Sequence, residues 1–223
     1  MRQALMLILC LPVTVYGQIN QALKRELDSM YVLDQRYREY LGEIGQNARL
    51  RDSLARALQV GSEDVGGTLW SKQSAIDSAN LIRTEVILKQ YGYPGKTLVG
   101  TPTNEAAWYI IQHSNKIKTY LAIVRKAGAT GELPFNLVAM MEDRQLMYDG
   151  RPQRYGTQGA SRPVKATGEA EWFIWPIEQP ERVNQRRRKA GFTETVQESA
   201  RSMNITYKPL TMAQIKARYV LGK

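Results

Sequence analysis

The chain has 223 residues, of which 43% are hydrophobic and 23% charged, and its net charge at pH 7 is +10. This length allows one domain with a sizeable core, and the composition excludes global disorder, collagen-like repeats and a long coiled coil. One cysteine and one histidine exclude both a disulfide framework and a zinc site built from Cys and His within the chain. We therefore expect neither a metal nor another cofactor.

The first residues have the three parts of a secretory signal peptide. Arg2 gives a positive start, residues 4–13 form an apolar run too short to span a bilayer, and Gly17 is a small residue before a polar one. The sequence predicts cleavage after Gly17 and export to the periplasm or the extracellular space, with a buried N-terminal helix as the alternative. Loss of residues 1–17 removes the only cysteine, Cys10, and leaves no apolar run of membrane-spanning length.

Apolar residues recur at three- and four-residue steps through most of the mature chain, which is the pattern of amphipathic helices. In the first of these helices the apolar face carries Leu23, Leu27, Met30, Tyr37 and Leu41. The pattern predicts helices over residues 19–44, 48–59, 69–91, 104–114, 115–126, 134–148, 181–190, 193–203 and 212–221.

Glycine, proline and capping residues set several boundaries. Residues 61–67 contain three glycines and are predicted as a loop, and Gly128 is predicted to end the fifth helix. Pro134 suits the first residue of the sixth helix. Thr211 and Gln214 have the spacing of a capping box at the start of the last one.

The composition changes between residues 150 and 170, where glycine and proline predict a loop, and residues 171–175 are aromatic and typical of a strand. We expect a mainly α fold: a single helical domain with one small β-hairpin element and an N-terminal helical hairpin. The predicted division is an N-terminal helical segment at 18–65 and a mainly helical core domain at 66–223.

Common catalytic signatures such as GxSxG, Walker A and HExxH are absent. Two segments are nevertheless dense in polar side chains. The first has Gln112 and His113 late in a predicted helix. The second has Asp143 and Arg144 near the end of a later helix, followed at 150–158 by Gly-Arg-Pro-Gln-Arg-Tyr-Gly-Thr-Gln.

These motifs resemble the signature of a family of exported bacterial domains of unknown function, which reads Gln-His, then Asp-Arg, then G-x-x-Q-x-Y-G-T-Q. The resemblance extends over about residues 70–200 and includes Asp77 and Asn80 upstream and Arg187 downstream. Tyr93 is a departure, because the family usually has tryptophan there. Since no activity is established for the family, the resemblance singles out residues without implying a reaction.

Three residues are candidates for catalysis. His113 would act as general base or acid, Asp143 as the carboxylate that orients it, and Arg144 as a stabiliser of developing negative charge. The structural alternatives stay open: His113 lies on an apolar helix face, where an imidazole often satisfies a hydrogen bond in the core. Asp143 and Arg144 would equally suit an ion pair at a helix end.

The other polar residues of the motifs are candidates for substrate binding. Neutral donors and acceptors suit a polar substrate such as a sugar or a peptide, but a loop tied down by its own hydrogen bonds uses the same residue types. The candidate substrate-binding residues are Gln112, Gln153, Tyr155, Thr157, Gln158, Asp77 and Asn80.

Positive charge is concentrated between residues 144 and 189, where there are ten Lys or Arg residues and five acidic ones. The run Arg186–Lys189 winds round a predicted helix, so it forms no single basic stripe and is typical of a solvated surface. Export argues against nucleic acid as a partner. We expect a small polar or anionic ligand.

The sequence favours an exported, metal-independent hydrolase or transferase that acts on a polar envelope or extracellular substrate. A non-catalytic binding domain for a polar or anionic ligand and a structural envelope protein are the alternatives. The position of five side chains distinguishes these alternatives: His113, Asp143, Arg144, Tyr155 and Gln158. Convergence on one open pocket would favour the enzyme or the binding domain, and convergence in a closed, fully bonded interior would favour the structural protein.

Overall fold

A computed structural model describes residues 18–221, so the predicted signal peptide lies outside the described residues. The helices are α1 (Gln21–Glu43), α2 (Ala48–Leu58), α3 (Val65–Tyr91), α4 (Lys96–Val99), α5 (Ala106–Gln112), α6 (Ile117–Ala129), α7 (Phe135–Tyr148), α8 (Val183–Lys189), α9 (Val196–Ser202) and α10 (Met212–Arg218), with 3₁₀ turns at Thr103–Glu105 and Pro180–Arg182. Strands β1 (Gly159–Pro163) and β2 (Ala170–Ile174) pair antiparallel. The predicted fold class, mainly helical with one β-hairpin and an N-terminal helical hairpin, is confirmed.

The N-terminal helical hairpin is formed by α1 and α3, the two longest helices. Leu23, Leu27 and Met30 lie one turn apart on α1 and are buried against Ile87 of α3 and Ile110 of α5. This i, i+4, i+7 spacing is what a helix needs to bury a single stripe. No helix in residues 18–221 combines the length and the apolarity that crossing a membrane would require.

Helix α3 begins earlier than predicted. The sequence predicts a loop over 61–67, but the helix starts at Val65 and includes Gly66 and Gly67 in its first turn. Each glycine in a helix costs about 1 kcal/mol relative to alanine. Val65 and Leu69 are almost completely buried against Ala55, and this burial outweighs that cost.

Helix α6 also passes through the glycine that was predicted to end it. Gly128 is helical and the helix continues to Ala129. A Cβ atom at Gly128 would lie 2.5 Å from Cγ2 of Val138 on α7. The missing side chain therefore permits close packing of α6 against α7. Gly128 serves this tertiary contact and does not end the helix.

Helix α5 joins two layers of the helical part. Ile110 packs with α1 and α3, whereas Trp108 and Ile111 belong to the cluster formed with α6 and α7. The indole nitrogen of Trp108 donates to the backbone oxygen of Leu137, 2.8 Å away. The C-terminal end of α5 is thus held firmly between the layers.

The C-terminal part packs around the β-hairpin. Phe173 of β2 stacks on Tyr219, with ring centroids 4.3 Å apart, and Ile215 of α10 is fully buried beside them. The capping box predicted at Thr211 and Gln214 is present at the start of α10.

Part of the basic run 186–189 is structural. Arg187 is only 2% exposed, and its guanidinium donates to the backbone oxygens of Tyr155 and Glu194 and lies 4.4 Å from the ring centroid of Phe192. Arg186 donates to the backbone oxygen of Arg154. These two side chains tie α8 to the loop that precedes β1, so the run is not simply a solvated face.

We predict that Gly156→Ala destabilises the protein more than Gly150→Ala. Both glycines have positive φ, +71° and +65°, so a side chain costs about 1–2 kcal/mol at either position. A Cβ at Gly156 would also lie 2.6 Å from Val196 and 2.7 Å from Ile177, whereas nothing lies within 4 Å of one at Gly150. Overpacking adds about 1–3 kcal/mol.

Urea unfolding of both variants and the parent measures this difference. Gly150→Ala is the control for the backbone term alone. Equal losses in the two variants would contradict the close packing of the 150–158 loop against α9.

Candidate functional site

The single histidine is bonded to a buried carboxylate from another helix. His113 follows the last residue of α5, and its Nδ1 lies 2.9 Å from Oδ2 and 3.2 Å from Oδ1 of Asp34 on α1. The Asp34 side chain has no solvent exposure, while that of His113 is 22% exposed. A carboxylate accepts from Nδ1–H, so the other ring nitrogen, Nε2, is left without a proton in the neutral ring.

Polar contacts between α1 and α3 hold Asp34 in place. Gln73 of α3 donates to the backbone oxygen of Asp34 at 2.9 Å, and the same amide donates to Oδ1 of Asp77 at 2.7 Å. Arg38 donates to that backbone oxygen and makes a two-pronged ion pair with Asp77, at 2.9 and 2.8 Å. Asn80 donates to the backbone oxygen of Met30, 3.0 Å away.

Asp77 and Asn80, which the sequence singles out for substrate binding, therefore both lie at the α1–α3 interface. Asp77 also borders the cleft described below. Asn80 is buried and does not border it.

An open cleft of about 460 Å³ adjoins His113. One wall is a row of α3 residues at three- and four-residue spacing, from Trp70 to Leu81, and the other is the Arg144–Tyr148 pair on α7. The segment 112–115 closes the cleft between them. The cleft thus occupies the gap between the two layers that α5 joins.

Arg144 supplies an uncompensated cation to this cleft. Its Nε lies 3.2 Å from Oε1 of Gln158, and its Nη1 lies 3.3 Å from the backbone oxygen of Gln112. No carboxylate in residues 18–221 forms an ion pair with it. Arg38 borders the same cleft, but Asp77 neutralises its charge.

Asp143 faces the opposite way and does not orient His113. It is fully buried and accepts hydrogen bonds from the backbone N–H groups of Arg154, Tyr155 and Thr157 and from the Thr157 hydroxyl, at 2.7–3.1 Å. Burial raises the pKa of the Asp143 carboxyl, and the hydrogen bonds oppose that rise. Neighbouring helical residues such as 143 and 144 point in different directions, so Asp143 does not share the cleft that Arg144 borders. The carboxylate that contacts His113 is Asp34.

The 153–158 motif forms a hydrogen-bonded loop that lies outside this cleft. Gln153 is fully buried, and its amide donates to the backbone oxygens of Gln158 and Trp175 and accepts from the N–H of Gln158. Tyr155 packs against Phe192, and Thr157 is bonded to Asp143. The residues that border the cleft include none of Gln153, Tyr155, Thr157 and Gln158. Gln158 nevertheless accepts a hydrogen bond from Arg144, which does border it.

Gln112 is the motif residue with an unmet hydrogen-bonding requirement. It borders the cleft and is 4% exposed, and its buried Oε1 has no donor among the described residues. Buried polar side-chain atoms are rarely left in this state.

Sequence reasoning missed Asp34, Arg38 and Gln73. A signal for Asp34 was present, because it continues the series Leu23, Leu27, Met30 at the next step along the apolar face. An acidic residue at such a position has to find a buried partner. The partner itself lies 79 residues away, which no local spacing indicates.

The described residues contain no group of three or more His, Cys, Asp or Glu side chains arranged to hold a metal ion. Neither a curated protein nor a solved structure shows a significant match to the chain. Residues 22–209, which include Asp34, the cleft and the 153–158 loop, match the model of a family of unknown function, DUF6624. The chain therefore belongs to the DUF6624 family.

Proposed function

We propose that the cleft is the active site of a hydrolase or transferase that acts on a polar, negatively charged substrate. The observation that carries the proposal is the bond of His113 Nδ1 to buried Asp34, beside a cleft that also receives the unpaired Arg144. A binding domain would need the cation and the cleft. In an enzyme the buried carboxylate behind the imidazole would also set the tautomer needed for proton transfer.

In this proposal His113 is the general base and then the general acid. Nε2 takes a proton from the attacking water or hydroxyl group and returns it to the leaving group. Asp34 holds the ring in the tautomer with hydrogen on Nδ1 and stabilises the imidazolium that forms. The ring keeps its position because α1, α3 and α5 fix Asp34 on all sides.

Arg144 supplies the second element of the chemistry. Its planar guanidinium suits a carboxylate or phosphate group, and a fixed cation stabilises negative charge that develops during transfer. Gln158 and the Gln112 backbone oxygen orient the side chain through two hydrogen bonds. The Asp143 loop acts behind Arg144 and takes no part in proton transfer.

The proposed setting is outside the cytoplasm, and it rests on the positive start, the short apolar run and the small residue at position 17. An exported enzyme without cysteine in its mature chain would depend on packing and on polar networks such as that of Asp34 for its stability.

We predict that the imidazole of His113 carries its hydrogen on Nδ1. The chain has one histidine, so ¹⁵N shifts of the ring report on this residue alone. Asp34→Asn should move the ring toward the Nε2–H form that free imidazole prefers, because the amide N–H can donate to Nδ1, which a carboxylate cannot do.

Asp28→Asn is the matched control, since it makes the same change on the same helix without touching His113. A parent protein whose ring carries hydrogen on Nε2 would contradict the proposed base.

We predict that His113→Gln lowers turnover at least about 100-fold while the protein keeps most of its stability. General acid–base catalysis contributes about 10²–10⁴-fold, and a partly exposed glutamine can still donate to Asp34. The assay is a panel of nitrophenyl esters, phosphoesters and uronides, with melting temperatures measured alongside. Arg144→Lys should raise KM, because an ammonium group cannot reproduce the planar fork.

Turnover that survives His113→Gln would refute the acid–base role. Anion binding in the cleft without turnover of any compound class would favour the binding-domain alternative. A large drop in melting temperature for His113→Gln, with neither binding nor turnover in the parent, would favour the structural one.

We predict that the exported protein has lost residues 1–17 and begins at Gln18, which is able to cyclise. Intact-mass measurement of the protein recovered outside the cytoplasm gives the result directly. A product that keeps Cys10, with or without attached lipid, would contradict this cleavage site.

A further inference from the structure

We infer that the ligand of the cleft is a hydroxyl-rich saccharide that carries a carboxylate, an inference that rests on the function proposed above. Three independent features of the cleft support it. They are a buried side-chain amide oxygen without a donor, a cation without a carboxylate partner, and exposed aromatic rings on both walls.

The side-chain amide oxygen of Gln112 needs a hydrogen-bond donor. Its Oε1 is buried and has no hydrogen-bond donor within the described chain. Half a turn about the last side-chain bond exchanges oxygen and nitrogen, so either can meet a ligand at the cleft. A hydroxyl group satisfies both orientations, whereas a carboxylate or phosphate satisfies only one.

The anion must lie next to that hydroxyl group. Arg144 Nη1 is bonded to the backbone oxygen of Gln112, so the cation and the unmet amide belong to the same corner of the cleft. A ligand that occupies this corner has to present both a negative group and a hydroxyl group. Uronic acids and related acidic sugars have this arrangement.

The charge balance of the cleft limits the ligand to about one negative charge. Arg38 is already paired with Asp77 through two hydrogen bonds, which leaves Arg144 as the cation without a carboxylate partner among the cleft residues. Asp77 itself adds negative charge to the wall. A carboxylate fits this balance, whereas a nucleoside diphosphate would leave two or more charges uncompensated.

Exposed aromatic side chains supply the faces on which sugar rings stack. Trp70 on α3 is 57% exposed and Tyr148 on α7 is 60% exposed, and both border the cleft. Ser74 and Ser78 lie along the same α3 wall and offer hydroxyl groups. A volume of about 460 Å³ falls within the range of small-molecule sites and leaves room for a short oligosaccharide.

Calorimetric titration of the full mature chain tests the inference with three probes. These are a glucuronosyl-glucose disaccharide, the neutral disaccharide cellobiose, and ADP. We expect the acidic disaccharide to bind at least 10-fold more tightly than either of the others. Gln112→Leu and Trp70→Ala should each weaken its binding at least 10-fold.

Trp172→Ala is the matched control, because Trp172 is 63% exposed on β2 and does not border this cleft. It should leave the affinity unchanged, and melting temperatures verify that each variant is folded. Loss of binding in Trp172→Ala, with none in Trp70→Ala, would overturn the assignment of the sugar to this cleft.

Tighter binding of ADP than of the acidic disaccharide would refute the saccharide as the ligand, but it would agree with the proposed anion site. Equal affinities for the acidic and the neutral disaccharide would contradict the proposal that Arg144 recognises the carboxylate of the ligand. No sugar binding in a protein whose His113 ring carries its hydrogen on Nδ1 would refute the substrate class alone. A parent ring that carries its hydrogen on Nε2 would refute the proposed function itself.

Discussion

A carboxylate without solvent exposure, Asp34, is the constraint on which the site depends. An isolated buried carboxylate costs several kcal/mol, so its partners have to be held precisely. His113 binds the carboxylate, and Gln73 and Arg38 bind the backbone oxygen of the same residue. The end of α5 is therefore fixed relative to α1 and α3, and the corner at 112–115 that closes the cleft is fixed with it.

Local sequence patterns predict the helices well because each one buries a stripe of regular spacing. Leu23, Leu27 and Met30 on α1 are an example, and the capping box at Thr211 is another. The patterns fail where tertiary packing overrides a local preference. Gly66 is helical because Val65 beside it is buried, and Gly128 is helical because α7 approaches it closely.

The site was predictable only in part, for a related reason. Sequence motifs single out His113 and Arg144, which both border the cleft, but they pair His113 with the wrong carboxylate. Asp143 is near Arg144 in sequence, yet its carboxylate faces the 154–157 loop. Residues next to each other in a helix point in different directions, and packing between helices brings together residues far apart in sequence. The choice between Asp34 and Asp143 therefore needs the tertiary structure.

The two buried carboxylates serve opposite sides of the same cleft. Asp34 holds His113 on one side, whereas Asp143 organises the loop from which Gln158 reaches Arg144. Burying each carboxylate costs free energy, and hydrogen bonds from fixed neighbouring groups offset that cost. These bonds also hold the neighbouring groups in place, so the buried carboxylates make the surrounding structure rigid. A site that had to hold an imidazole and a guanidinium on separate helical layers would need such a support on each layer. The buried loop at 153–158 therefore positions Arg144 without itself bordering the cleft.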